Sequence, residues 1–225
     1  MNTLEMHTKV REQLLEDNTP EYDLLTDSMI DNALTSVAIE FTDGVLEARD
    51  GKAPDQDLHK YASIYTLIKT LDFSIASGTQ PMEDFEISVP EAMLQPIPSS
   101  ATTQRIVAGT DNAINPLLQQ KAEIVFQAHA DIFNIIDNPF STSSLKRINA
   151  TLEPNFITLH LEKKSIVIDV SLKYICIPNK ISLLLYKEDS TKGLCDLPEG
   201  VHNKIVESAV RYLLEEFQSQ RHQTN

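Results

Sequence analysis

Tryptophan is absent from this 225-residue chain, glycine occurs six times and cysteine twice. Each scarcity excludes something. With so few glycines, and with no GxGxxG or Walker sequence, nothing is set up to cradle a phosphate. HExxH and GxSxG are missing too, which removes the zinc-protease and α/β-hydrolase signatures. With no Trp and aromatics at only 6%, a base-stacking platform for nucleic acid is unsupported. Cys176 and Cys195 lack CxxC spacing and any neighbouring ligand cluster, so two reduced, partly buried thiols are expected and zinc is not. No apolar run approaches the roughly 20 residues that cross a bilayer, so no membrane partner is expected. Met1 to Lys9 lacks the basic-then-apolar pattern of a signal peptide, which predicts a protein that stays in the cytoplasm where it is made.

What is present is an ordinary globular balance, 41% hydrophobic and 23% charged, with length enough for one or two domains. The net charge of −14 is uneven. Residues 1–98 hold 19 Asp/Glu against 6 Lys/Arg, whereas residues 99–225 hold 14 against 13. An acidic first part repels nucleic acid and disfavours direct DNA recognition. It can meet a basic protein partner, line a passage that DNA crosses without sticking, or form a solvated helical face.

The clearest element is the last. Val201, Ile205, Ala209, Leu213 and Phe217 recur every four residues, with Val206 and Val210 beside them, and Pro198 suits the first turn. This predicts a long amphipathic helix over 195–225 that docks on a body made earlier in the chain. At the other end, Leu4, Val10, Leu14 and Leu15 predict a short helix over 3–17. Thr19-Pro20 opens a second, which runs through Phe41 to a stop at Asp43-Gly44. Asp57 caps a third over Leu58 to Ala76, striped by Tyr61, Ile64, Tyr65, Ile68, Leu71 and Ile75. Together these read as an acidic antiparallel helical bundle over 1–78.

Prolines and small polar residues then predict an extended loop or arm over 79–122, carrying one short strand at Phe85 to Val89. A β region follows over 123–194. Its candidates are Glu123 to Phe126, Leu145 to Leu152, Phe156 to Leu161 and Ser165 to Ile177; Asp131 to Ile136 reads as strand or short helix. The pair 156–161 and 165–177 reads as a hairpin across Glu162-Lys163-Lys164. In its second strand, Ile166, Ile168, Val170, Leu172 and Tyr174 form the buried face, and Val167, Asp169, Ser171 and Lys173 the wetter one. Ile181 to Leu185 is a further short apolar run. The fold class is α+β.

Six histidines are scattered without metal-ligand spacing: His7, His59, His129, His160, His202 and His222. Glu5 and His7 diverge on a helix, so a structural or surface role is expected for His7. His202 lies near the start of the closing helix, where the dipole disfavours a cation; a neutral contact or cap is expected. Asp131 and Asp137 could pair as carboxylates, but nothing else supports a hydrolase. Lys163-Lys164 is a basic doublet at a turn. No catalytic, cofactor-binding or metal-ligating residue is assigned, and no cofactor is expected.

Several segments together resemble a known family. Leu4-Glu5-Met6-His7, Leu24-Leu25 and Met29-Ile30-Asp31-Asn32-Ala33-Leu34 resemble the start of neck proteins, the head-to-tail connectors of crAss-like tailed bacteriophages. Asp131-Ile132-Phe133, Asp137-Asn138-Pro139-Phe140 and Leu172-Lys173-Tyr174-Ile175-Cys176-Ile177-Pro178 look like further pieces. The clearest is Cys195-Asp196-Leu197-Pro198-Glu199 with His202, Ile205-Val206-Glu207 and Ala209-Val210. Asn32 stands where the family has an aromatic, and residues 80–125 carry no part of the resemblance.

The resemblance implies a non-enzymatic virion protein. It would form a twelve-fold homo-oligomeric ring, contact the portal protein and other neck or tail proteins, and surround a channel through which DNA passes without specific binding. The protein would be made in the host cytoplasm and act in the virion neck. From the residues alone, an acidic monomer that sequesters a basic protein partner stands as the alternative, and an enzyme built from distant acids and histidines ranks last.

Overall fold

A computed structural model of the chain describes residues 1–16, 25–47, 60–74, 84–105, 119–128, 131, 142–162 and 165–224. The chain adopts a mixed α+β fold, as expected, and divides into two compact units. One unit combines Met1–Leu67 with Ile177–Asn225; the other is the continuous segment Ile68–Cys176.

The first unit holds all four described helices: α1 (Thr3–Glu16), α2 (Asp27–Glu47), α3 (Leu183–Glu188) and α4 (Glu199–Thr224). Asn2 and Glu5 start α1 reciprocally. The Asn2 side chain accepts the Glu5 N–H at 2.8 Å, and the Glu5 carboxylate accepts the Asn2 N–H at 3.1 Å. The buried stripe of α1 is Thr3, Met6, His7, Val10 and Leu14. Leu4 and Leu15, read as part of the apolar face, are instead 50% and 51% exposed. The 3.6-residue period puts them one position past the stripe.

Thr26 stands before α2, its hydroxyl accepting the Met29 N–H at 3.3 Å. The expected Thr19-Pro20 start lies outside the described residues. Gly44 does not stop the helix, which continues to Glu47 at a propensity cost of about 1 kcal/mol. All seven apolar stripe residues of α4 are buried, and the helix lies against α2 and α1. At about 25 cal/mol per Å², each of the larger of these side chains contributes roughly 1.5–3 kcal/mol, which no surface charge on this helix rivals.

The third expected helix does not form. Lys60–Ser63 and Tyr65–Leu67 are short 3₁₀ turns, and Ile68–Ser74 is a strand, β1. The β-branched residues Ile64, Thr66, Ile68 and Thr70 sit poorly in a helix, and β1 finds a full ladder on a neighbouring strand. The expected stop at Gly78 lies outside the described residues.

The second unit is one curled mixed sheet. Its other strands are β2 (Asp84–Ser88), β3 (Met93–Pro96), β4 (Ser99–Arg105), β5 (Gln119–Gln127), β6 (Arg147–Leu152), β7 (Phe156–His160) and β8 (Ser165–Cys176). They are ordered β1-β8-β4-β5-β6-β7-β2, with β3 also on β8. Only β5 and β6 run parallel among these pairings. The stretch read as an extended loop thus contains β3, β4 and the start of β5; residues 106–118 lie outside the described ones.

The expected hairpin of 156–161 with 165–177 is not made. β7 pairs with β6 and β2, whereas β8 pairs with β1, β3 and β4. The shorter Glu153-Pro154-Asn155 connection claims one edge of β7 for β6, and β2 takes the other. The face assignment of β8 changes too. Thr102 faces Asp169 but Thr103 faces Val167, so Ile168 is an extra residue, a bulge that reverses the alternation. Val167 therefore joins Val170 and Leu172 in the core, while Ile168, though buried, does not belong to that cluster. Ala101, Ala122, Ile124, Ile148, Ala150, Ile157, Leu159 and Ile87 complete the core from the other strands, which is how a single sheet covers its own apolar face. Where Pro96 and Pro98 interrupt the β3–β4 edge, the Ser99 hydroxyl accepts the Lys173 N–H at 2.9 Å and replaces the lost rung.

Candidate functional site

Two of the segments that carry the resemblance, Leu4–His7 and Met29–Leu34, meet inside the helical unit. His7 on α1 is 2% exposed. Its Nε2–H donates to Asp31 Oδ1 on α2 at 2.7 Å. The same carboxylate oxygen accepts the Leu183 N–H, at the start of α3, at 3.0 Å. One oxygen thus fastens three helices. Thr35, a turn further along α2, donates its hydroxyl to the Asp31 carbonyl at 2.7 Å and accepts the Ile181 N–H at 3.1 Å.

A charged rim surrounds the pair. Asp27 Oδ1 accepts from Arg11 Nη2 at 2.7 Å and lies 4.0 Å from His7 Nδ1, with Lys187 Nζ 3.8 Å from its other oxygen. The Arg11 hydrogen bond holds the Asp27 carboxyl below its ordinary value. Burial pushes the His7 imidazole down, and this outweighs the pull of Asp31 and Asp27 toward the charged form. His7 Nδ1 has no hydrogen-bond partner. The ring is therefore a neutral donor.

The entry to α4 is fastened in the same manner. His202, also buried, donates Nε2–H to the Leu197 carbonyl at 2.7 Å, an oxygen that can only accept. A side-chain contact at the helix start is thus made. Asp196 Oδ2 accepts the Asn179 N–H at 3.1 Å. Burial pushes the Cys195 thiol up to about 11, which leaves it unreactive at neutral pH. Gly193, at φ +66°, supplies the tight passage beneath: a Cβ there would stand 2.3 Å from the Ser182 carbonyl oxygen. Its own carbonyl accepts the Thr3 hydroxyl at 2.8 Å, which adds α1 to the same knot.

In the sheet unit, three adjacent strands align a different trio. Asp84 Oδ1 on β2 accepts His160 Nδ1–H at 2.8 Å, and His160 Nε2 meets Thr151 Oγ1 at 3.1 Å. The order carboxylate, imidazole, hydroxyl is that of a nucleophile and its base. Thr151 is only 1% exposed, however, so no substrate carbonyl can reach its hydroxyl. The trio is a polar rung across β2, β7 and β6.

On the same sheet a hollow of about 340 Å³ presents Asp72 and Asp169 among the hydroxyls of Ser74, Ser100, Thr102 and Ser171. The register places these side chains in two rows across β1, β8 and β4. No group of three His, Cys, Asp or Glu close enough to hold a metal occurs among the described residues.

No protein-family model matches the chain, and none of the curated proteins matches it either.

Of the other residues singled out, Asp131 sits in a turn. Asp137, Lys163, Lys164, His59 and His129 lie outside the described residues. Sequence reasoning missed the role of Asp31. A signal for His7 was available: it falls with Thr3, Met6, Val10 and Leu14 on one face, and a histidine on a buried stripe needs a partner. Nothing local marks Asp31 as that partner, because it lies 24 residues away.

Proposed function

We propose that this chain is a structural ring subunit of a tailed-phage neck, joining the portal to the tail around the DNA channel. The observation that carries the reading is the use made of the resembling segments. Leu4–His7 and Met29–Leu34 are tied together by the buried His7–Asp31 hydrogen bond, and Cys195–His202 is closed on itself by the buried bond from His202 to the Leu197 carbonyl. Residues spent this way hold a shape. They support a protein that works by contact, without turnover of a substrate.

In this reading the antiparallel bundle of α1, α2 and the long closing helix α4 is the rigid body of the subunit. Copies meet through two unlike lateral faces, so that the contacts close by rotation into a twelve-fold ring. The acidic excess of residues 1–98 suits a channel wall that DNA crosses without adhering. The ring would bind portal protein and neighbouring neck or tail proteins, and would reside in the virion.

Multi-angle light scattering on the full chain, alone and mixed with portal protein, tests this. Rings, or assembly only on the portal, are expected. A monodisperse monomer under both conditions would refute the ring, and would favour the acidic monomer that sequesters a basic partner.

A further inference from the structure

His7 is a buried titratable group that a purely structural role would not require. A leucine would fill the stripe of α1 without needing Asp31. Its two ring nitrogens are treated unequally. Nε2–H is satisfied by Asp31 at 2.7 Å, whereas Nδ1 is buried with no partner. The nearest charged acceptor to Nδ1 is Asp27 Oδ1 at 4.0 Å, already engaged by Arg11 at 2.7 Å and by Lys187 across its other oxygen at 3.8 Å.

The charged groups facing His7 are therefore Arg11 from α1, Asp27 and Asp31 from α2, and Lys187 from α3 behind Asp27. α4 also packs on α1 but adds no charged group that acts on the ring. At neutral pH the cluster balances: two carboxylates, one guanidinium, one ammonium and an uncharged ring. A proton on Nδ1 breaks that balance. It creates a buried N–H whose nearest charged acceptor, Asp27 Oδ1 at 4.0 Å, stands beyond hydrogen-bond distance.

We propose that His7 is a proton-operated pin for α1: protonation at Nδ1 releases this helix from α2 and α3 while the sheet unit stays folded. The direction agrees with the burial-driven depression of His7 below its ordinary 6.5. In the opened helix the ring returns to water and binds a proton more readily than in the closed one. Closed α1 is thus fully stabilised above about pH 6.5 and loses ground as pH falls from there toward the folded value. Between those limits the opening equilibrium rises about tenfold per pH unit.

Hydrogen-exchange protection factors for the full chain, measured from pH 7.5 to 5 and corrected for intrinsic exchange, read this directly. Amides of Met6 to Leu14 are expected to lose protection as pH falls below 6.5, by up to about tenfold per unit until the closed-state value is reached, with those of β6 to β8 unchanged. His7→Gln, whose amide can still donate to Asp31, should abolish the pH dependence. Asp27→Asn should leave the onset near pH 6.5 and extend the loss to lower pH, because removing a carboxylate that favours the imidazolium lowers the closed-state value further.

A pH-independent α1 overturns the proposal, as does a His7→Gln chain that retains the loss. Should His7→Gln fail to fold, the NMR titration of the His7 ring in the unaltered chain decides. A midpoint below 6.5 that coincides with α1 release supports the pin, and a midpoint at or above 6.5 refutes it.

Discussion

Replacing Asp31 by alanine removes the carboxylate and strands two buried donors. Asp31 Oδ1 accepts the His7 Nε2–H at 2.7 Å and the Leu183 N–H at 3.0 Å. An unsatisfied buried donor costs about 1–3 kcal/mol, so Asp31→Ala should destabilise the helical unit by about 2–6 kcal/mol. That is a large part of the roughly 5–15 kcal/mol that holds a typical domain together. Asp31→Asn keeps an oxygen acceptor in place and loses only the charge-assisted share, about 1–2 kcal/mol. The comparison isolates the acceptor from the volume change. All four described helices lie in this unit, so urea unfolding followed by circular dichroism at 222 nm reports it with little contribution from the sheet. The reasoning fails if Asp31→Ala costs less than about 1 kcal/mol, or if the alanine and asparagine variants have the same midpoint.

Three further outcomes are expected. Gly193→Ala meets the left-handed backbone penalty of about 1–2 kcal/mol and a clash with the Ser182 carbonyl worth about 1–3 kcal/mol; the same urea titration reads the sum. Ile205→Asp or Leu213→Asp places a charge in the fully buried docking face of α4 and should abolish folding or assembly, visible as aggregation or lost 222 nm signal. Cys195, raised to about 11 by burial, should alkylate in the native chain about a hundredfold more slowly at pH 8 than after unfolding, followed by mass spectrometry.

The parts of the fold legible in the sequence were those decided locally. The four-residue recurrence of α4 located its buried face, and β2, β6, β7 and β8 fall within about two residues of the runs of alternating or β-branched residues that marked them. What was illegible depends on partners far along the chain. Residues 61–75 carry a fair helical stripe, and only the presence of β8 as a ladder partner makes Ile68–Ser74 a strand. β7 and β8 are neighbours in sequence, yet each is claimed by other strands. The bulge at Ile168 is invisible to a period-2 count, because it is forced by register against β4. At the site, His7 could be read from the α1 stripe, but the shared oxygen of Asp31 joins residues 24 and 152 positions distant. No spacing rule reaches that far.

The division of the chain also orders its birth on the ribosome. The sheet unit is one uninterrupted segment, Ile68–Cys176, whereas the helical unit needs both Met1–Leu67 and Ile177–Asn225. The nascent sheet therefore emerges whole and can close its core while α1 and α2 still wait for α3 and α4. At about 5–20 residues per second, that wait lasts roughly 8–35 s. Throughout it Met6, Val10, Leu14, Ile30, Leu34 and Val37 have no α4 to cover them. Expression in cells depleted of nascent-chain chaperones should therefore cost this protein more of its helical unit than of its sheet.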